Sequence, residues 1–128
     1  MFRIFLVEDD QRVSAALTEL LGGLPGVQVI ACATSEGAAV DWLMENRLKW
    51  DLDVVDLALG TGSGLRVLGA CRVRKSHQKM VVLSNHLTRE MRRRCMTLGA
   101  DAVFEKASDI EAVFDYCRAA SEVAVHRG

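Results

Sequence analysis

Four short apolar stretches of this 128-residue chain run into side chains able to do chemistry. "RIFLV" (3–7) is followed by Glu8 and Asp9, "LDVV" (52–55) by Asp56, "MVVL" (80–83) by Ser84, and "AVFE" (102–105) by Lys106. A carboxylate beside low-dielectric core is costly unless it is paired or performs chemistry. Three carboxylates meeting in one basin would repel one another, and a divalent cation relieves that repulsion at neutral pH. Mg²⁺ suits such a set, because it takes one or two carboxylates, keeps several waters and favours phosphate oxygen, whereas Ca²⁺ wants more protein oxygens. Asp56 would then be a nucleophile of the aspartyl-phosphate kind, with the charge of the attacked phosphoryl group spread over the metal and Lys106. Singly, each residue has an ordinary explanation: Asp9, Asp10 or Ser84 could cap a helix, and a lysine is usually solvated. Their joint position at successive strand ends is what points to a site.

The elements that must bring them together can be read from periodicity. Residues 3–7 are short and nearly all apolar, as a strand buried on both faces should be, and 52–55, 80–84 and 102–105 mark three further strands, while "VQVIACA" (27–33) alternates somewhat and suits an edge. Between them run helical patterns. The first carries Val13, Ala16, Leu17, Leu20 and Leu21, with Asp10 as N-cap and Gly22-Gly23 as the stop; the second starts at Ser35 and carries Ala39, Val40, Leu43 and Met44. A third opens near Gly64 with Leu65, Leu68 and Cys71 inward, a fourth runs from about Thr88 with Met91, Cys95 and Leu98 to a stop at Gly99, and Ala112, Val113, Tyr116 and Ala120 mark a last one. Five strand–helix repeats predict an α/β fold, a doubly wound parallel sheet of order 2-1-3-4-5 with helices on both faces. Its ligand site lies beyond the carboxyl ends of the strands, where strands 1 and 3 meet. Neighbouring strands sit ~4.8 Å apart, so the five side chains would converge.

Composition excludes several alternatives. Half the residues are apolar, a quarter charged and one is proline, which fits a single folded unit over residues 1–128 with no output domain. No apolar run approaches the ~20 residues needed to span a bilayer, and the expectation is a cytoplasmic protein without a secretory signal. Cys32, Cys71, Cys95 and Cys117 form no metal or redox motif and are expected to be buried thiols. Charge is uneven: residues 1–65 carry four Lys/Arg against ten Asp/Glu, residues 66–94 nine against one. The basic stripe, "CRVRKSHQK" and "TREMRRRC", has no interleaved aromatics, so a protein partner is favoured over direct nucleic-acid contact.

Taken together, "IFLVEDD", "DLDVVDLALGTGSGLRVL", "VVLSN" and "GADAVFEK" resemble, in order and over essentially the whole chain, the receiver domain of two-component response regulators. The resemblance implies that Asp56 accepts a phosphoryl group from a sensor histidine kinase or a phosphotransfer protein. It implies Asp9 as a direct Mg²⁺ ligand, Glu8 supporting the metal through water, the Ala58 backbone carbonyl completing the shell, and Ser84 and Lys106 binding phosphoryl oxygens. Asn85 and His86 flank the site as possible modulators of dephosphorylation. Phosphorylation would add about two negative charges, draw Ser84 and Lys106 inward, and alter a docking face for a separate downstream target carrying Arg89, Arg92, Arg93 and Arg94. Three positions depart from the common pattern. Gly60 stands where proline is usual; Ala107 follows the lysine where a cis proline is common, and a trans bond is expected because cis before alanine costs ~3 kcal/mol. Val103 stands where many members carry an inward-swinging aromatic, and Phe104, one place along, faces the other way.

Other functions compete. A relay intermediate would pass phosphate on to a histidine-containing protein, and a relic site would bind without being phosphorylated. An aspartate-nucleophile phosphatase is suggested by Asp51 and Asp53 as a D-x-D pair, but that pair precedes the apolar residues rather than following a strand. "GTGSG" lacks the spacing of a phosphate-cradling loop.

Overall fold

Aliphatic residues at consecutive positions suit strands buried on both faces, and the computed structural model places five strands in one parallel sheet of order β2-β1-β3-β4-β5, with β1, β3 and β4 buried and the edge strands β2 and β5 partly exposed. It describes residues 1–60, 62–85 and 87–127, the side chains of 125–127 excepted. The strands are β1 (Phe2–Val7), β2 (Val27–Ala33), β3 (Leu52–Val55), β4 (Lys79–Ser84) and β5 (Ala102–Glu105). They alternate with α1 (Gln11–Gly22), α2 (Glu36–Glu45), α3 (Gly64–Ala70), α4 (Arg89–Thr97) and α5 (Ile110–Arg127). The α/β class and the strand order agree with the expectation, and the alternating strand, β2, lies at an edge.

Side-chain alternation divides the core in two. Ile4, Leu6, Leu52, Val54, Val81 and Leu83 pack with Leu17 and Leu21 of α1 and Val113 and Cys117 of α5. Phe5, Val7, Val55, Met80, Val82 and Val103 face Leu43 of α2, Val67 and Leu68 of α3 and Cys95 of α4. Phe104 therefore belongs to the α5 side, where it meets Tyr116 edge-on at 6.0 Å between ring centroids. Val103 faces the opposite way, so Phe104 does not stand in for an aromatic at that place.

The predicted caps form. Asp10 accepts hydrogen bonds from the Arg12 and Val13 amides, and Ser35 from the Ala38 amide. Four expectations of burial are corrected. Ala16 and Leu20 of α1 and Met44 of α2 are exposed, because only a narrow stripe of each helix reaches the sheet. Cys32 is also exposed, its side chain lying on the outer part of an edge strand near the Thr18 hydroxyl, whereas the other three cysteines are buried. Burial pushes Cys117 up to about 12 and raises Cys95 despite the neighbouring arginines. Among the described residues no peptide bond is cis, so Ala107 follows Lys106 through a trans bond.

Candidate functional site

The register of the sheet makes the site. Val7 pairs with Val55 and Ser84 with Glu105, so the residues following each strand emerge side by side at its carboxyl end. Backbone bonds continue the ladder past the strands: the Asp56 amide donates to Val7 O at 2.9 Å, the Glu8 amide to Ala33 O at 3.0 Å and the Lys106 amide to Ser84 O at 3.1 Å. Glu8, Asp9 and Asp56, separated by up to 48 positions in the chain, offer carboxylate oxygens all within 4.8 Å of one another.

Asp56 is almost fully buried, and three donors converge on it. Ser84 Oγ donates to Oδ1 at 2.9 Å, the Ala58 amide to the same oxygen at 3.2 Å, and Lys106 Nζ to Oδ2 at 3.0 Å. The Lys106 ammonium also contacts Glu8 Oε1, while the Asp10 amide donates to Glu8 Oε2 at 3.2 Å. Asp9 is exposed, and its Oδ2 accepts from the Gly60 amide at 2.9 Å. A proline at 60 would have no such N–H. Burial raises the Glu8 pKa, the nearby Asp56 charge adding to it and the Lys106 contact opposing it. Burial also acts to lower Lys106, but its bonds to Glu8 and Asp56 outweigh that and hold it above the ordinary lysine range. The ammonium is thus a fixed positive charge between two carboxylates.

The oxygen-only donor set fits a hard divalent cation. It consists of three clustered carboxylates, next to a loop in which Ala58 forms an isolated bridge with Ser63. Gly64 is required where that loop passes the strand end, since a Cβ there would collide with the Asp56 carbonyl. Asn85 is exposed next to Ser84, and His86 lies outside the described residues. Arg89, Arg92, Arg93 and Arg94 are all exposed on α4, and the guanidinium of Arg92 in addition donates to Val103 O at 2.8 Å and fastens α4 to β5.

Ser84 and Lys106 both touch the Asp56 carboxylate directly. The D-x-D alternative fails on position. Asp51 sits at the opposite end of β3, held by Arg3 at 3.1 Å and near His77, and Asp53 is wholly buried in the core. Sequence reasoning missed Asp53 as a buried group, and Glu36, which reaches the Ser63 amide of the loop after Asp56 at 2.9 Å. The Glu36 position at the start of α2, across from a glycine-rich loop, was the available signal.

A sheet of this order with an acid cluster at its carboxyl edge is the architecture of a phosphoacceptor signalling domain. The chain matches the model of the response regulator receiver domain over residues 4–118, and it belongs to that family. It is 28% identical over 121 residues to the nitrate/nitrite response regulator protein NarP of Escherichia coli, covering 94% of this chain and 55% of that protein. The signal receiver domain of a DNA-binding response regulator (merR) of Colwellia psychrerythraea superposes with a TM-score of 0.83 at 22% identity, over 95% of this chain and 99% of that one. A response regulator of Burkholderia pseudomallei, solved with a phosphorylated aspartic acid, calcium ion and citrate, gives 0.74 at 21% identity, over 100% and 74%. The chain spans from 31% to 55% of the length of the curated relatives it matches. Members of the family act as signalling phosphoacceptors rather than as conventional enzymes. No helix among the described residues is long and apolar enough to cross a membrane.

Proposed function

We propose that Asp56 is the phosphoacceptor and that Glu8, Asp9, Asp56 and the Ala58 carbonyl hold Mg²⁺ for the transfer. The observation that carries this reading is the convergence of Ser84, Lys106 and the Ala58 amide on one buried carboxylate inside a three-carboxylate cluster. An Asp56 oxygen attacks the phosphorus of a phosphohistidine in a kinase or phosphotransfer protein; a P–O bond forms, the P–N bond breaks, and its electron pair leaves with the imidazole. A bound Mg²⁺ would supply charge neutralisation for the phosphoryl oxygens. Lys106, already fixed beside Asp56, supplies a second positive charge, and the Ser84 hydroxyl turns from Asp56 to a phosphoryl oxygen. The calcium ion and phosphorylated aspartate of the Burkholderia protein are consistent with such a site.

In this reading residues 1–128 act as one cytoplasmic receiver unit that signals to a separate protein. Ser84 ends β4, Lys106 follows β5, and Arg92 ties α4 to β5, so a change of partners at Asp56 reaches the surface bearing Arg89, Arg93 and Arg94.

Acetyl phosphate with Mg²⁺ tests the assignment, since the same attack then releases acetate. Intact-mass measurement should show one added phosphoryl group on the wild type and none on Asp56→Asn; an equally labelled variant would refute it. Ser84→Ala should still be labelled, while the change in affinity for the cognate target on phosphorylation shrinks several-fold. An unchanged response in that variant would remove Ser84 from the switch.

A further inference from the structure

The loop of residues 57–64 must hold the Ala58 carbonyl in place, yet it contains Gly60, Gly62 and Gly64 and no proline. Glycines enlarge the number of conformations such a loop loses on ordering. Its inner end is anchored by the bond from the Ala58 amide to Asp56, and its middle by the bond from the Gly60 amide to Asp9. The outer end is held from another element. Glu36, in the first turn of α2, accepts a hydrogen bond from the Ser63 amide at 2.9 Å through Oε1, and the same oxygen stands 4.0 Å from Arg66 Nε. Gly62 passes directly over it at φ +112°, so close that a Cβ there would collide with the Glu36 side chain. Ser63 is also the N-cap of α3, its hydroxyl accepting from the Leu65 amide at 3.1 Å. Its carboxylate bond therefore fixes the junction between loop and helix.

We infer that Glu36 is a positioning residue for the phosphoacceptor site, a latch from α2 that holds residues 62–64, and through them the segment 57–60 beside Asp56, as divalent-cation binding needs. The latch does the work a proline at 60 could do by restricting the chain, and leaves the Gly60 N–H free to bond Asp9. The inference rests on the proposed metal site. Its first readout, amide exchange, does not depend on metal.

The test compares wild type, Glu36→Ala and Glu36→Gln; glutamine keeps an oxygen that can accept from Ser63. Hydrogen exchange followed by NMR in metal-free buffer should show the Ser63 amide exchanging at least ~10-fold faster in Glu36→Ala, with β1 and β3 amides unchanged. Glu36→Gln should stay close to wild type. Calorimetric titration with Mg²⁺ should show affinity weakened several-fold in Glu36→Ala and restored within about twofold in Glu36→Gln. Equal exchange in all three proteins would overturn the latch. Faster exchange with unchanged Mg²⁺ affinity would overturn its positioning role, and equal weakening in both variants would show that charge rather than the hydrogen bond acts. If the wild type itself bound no Mg²⁺, the metal assignment would fail and the positioning role with it. The exchange data would still report whether Glu36 holds the loop.

Discussion

Lys106→Met is expected to cost about 3 kcal/mol of stability in metal-free buffer and to make the melting temperature strongly dependent on Mg²⁺. Lys106 stands between Glu8 and Asp56, two carboxylates with side-chain exposures of 1% and 6%. Removing one partner of such a group leaves the others buried without compensation, an effect of ~3–5 kcal/mol in closed sites. The lower figure applies here because Lys106 itself keeps some contact with water. At about 4 °C per kcal/mol for a chain of this size, the melting temperature should fall by ~10 °C. A divalent cation bound only by the folded state restores stability by mass action, and it should bind the variant more tightly than the wild type because no ammonium competes for the carboxylates. A thermal melt with and without Mg²⁺ decides the matter. A drop below ~2 °C, or a drop that Mg²⁺ leaves unchanged, would contradict the electrostatic account of the site.

The second large effect lies outside the site, at Asp53. Its side chain is fully buried in β3; Oδ2 accepts from the Cys71 thiol at 2.9 Å, and Oδ1 has no partner among the described residues. Burial raises its pKa from 3.8 to about 7, against the thiol bond and the Arg74 charge, which act in the other direction. The folded state therefore holds a proton that the unfolded chain releases near pH 4. Its contribution to stability is complete below about pH 4, declines as pH rises and is lost above about pH 7. The separation between 3.8 and about 7, at ~1.4 kcal/mol for each tenfold in proton affinity, puts a ceiling of ~4 kcal/mol on this pH-dependent loss. Asp53→Val, a residue suited to a strand buried on both faces, should melt several degrees higher than wild type at pH 8, with the advantage shrinking towards pH 4. Denaturant titrations across that range provide the check. A constant difference between the proteins at every pH would mean that packing, not ionisation, separates them.

The arrangement of the fold was legible because it depends on local pattern. Aliphatic runs at residues 3–7, 52–55 and 80–84 could be buried only in a sheet covered on both faces, and the weaker alternation of 27–33 correctly suited an edge. The clustering of Glu8, Asp9 and Asp56 followed from strand order, since parallel strands in register deliver their next residues to one edge. What escaped were contacts set by long side chains and by distant backbone. Nothing in the spacing of Arg89, Arg92, Arg93 and Arg94 shows that one of the four is committed to the Val103 carbonyl. No motif or spacing marks Glu36, because its partner, the Ser63 amide, lies 27 positions away in the chain. Asp53 was hidden because alternation says which face a residue takes but not that a carboxylate there meets only a thiol and apolar core. Cys32 shows the converse: a residue type that is usually buried is exposed when its strand is an edge.

The most direct measurement is to locate the phosphoryl group itself. Wild-type protein treated with acetyl phosphate and Mg²⁺, reduced with borohydride to convert the acyl phosphate to homoserine, and mapped by tandem mass spectrometry should carry that mark at Asp56 alone. No mark should form when the metal is chelated. A mark at Asp9, Asp53 or any other position, or one that forms equally well without a divalent cation, would contradict the account.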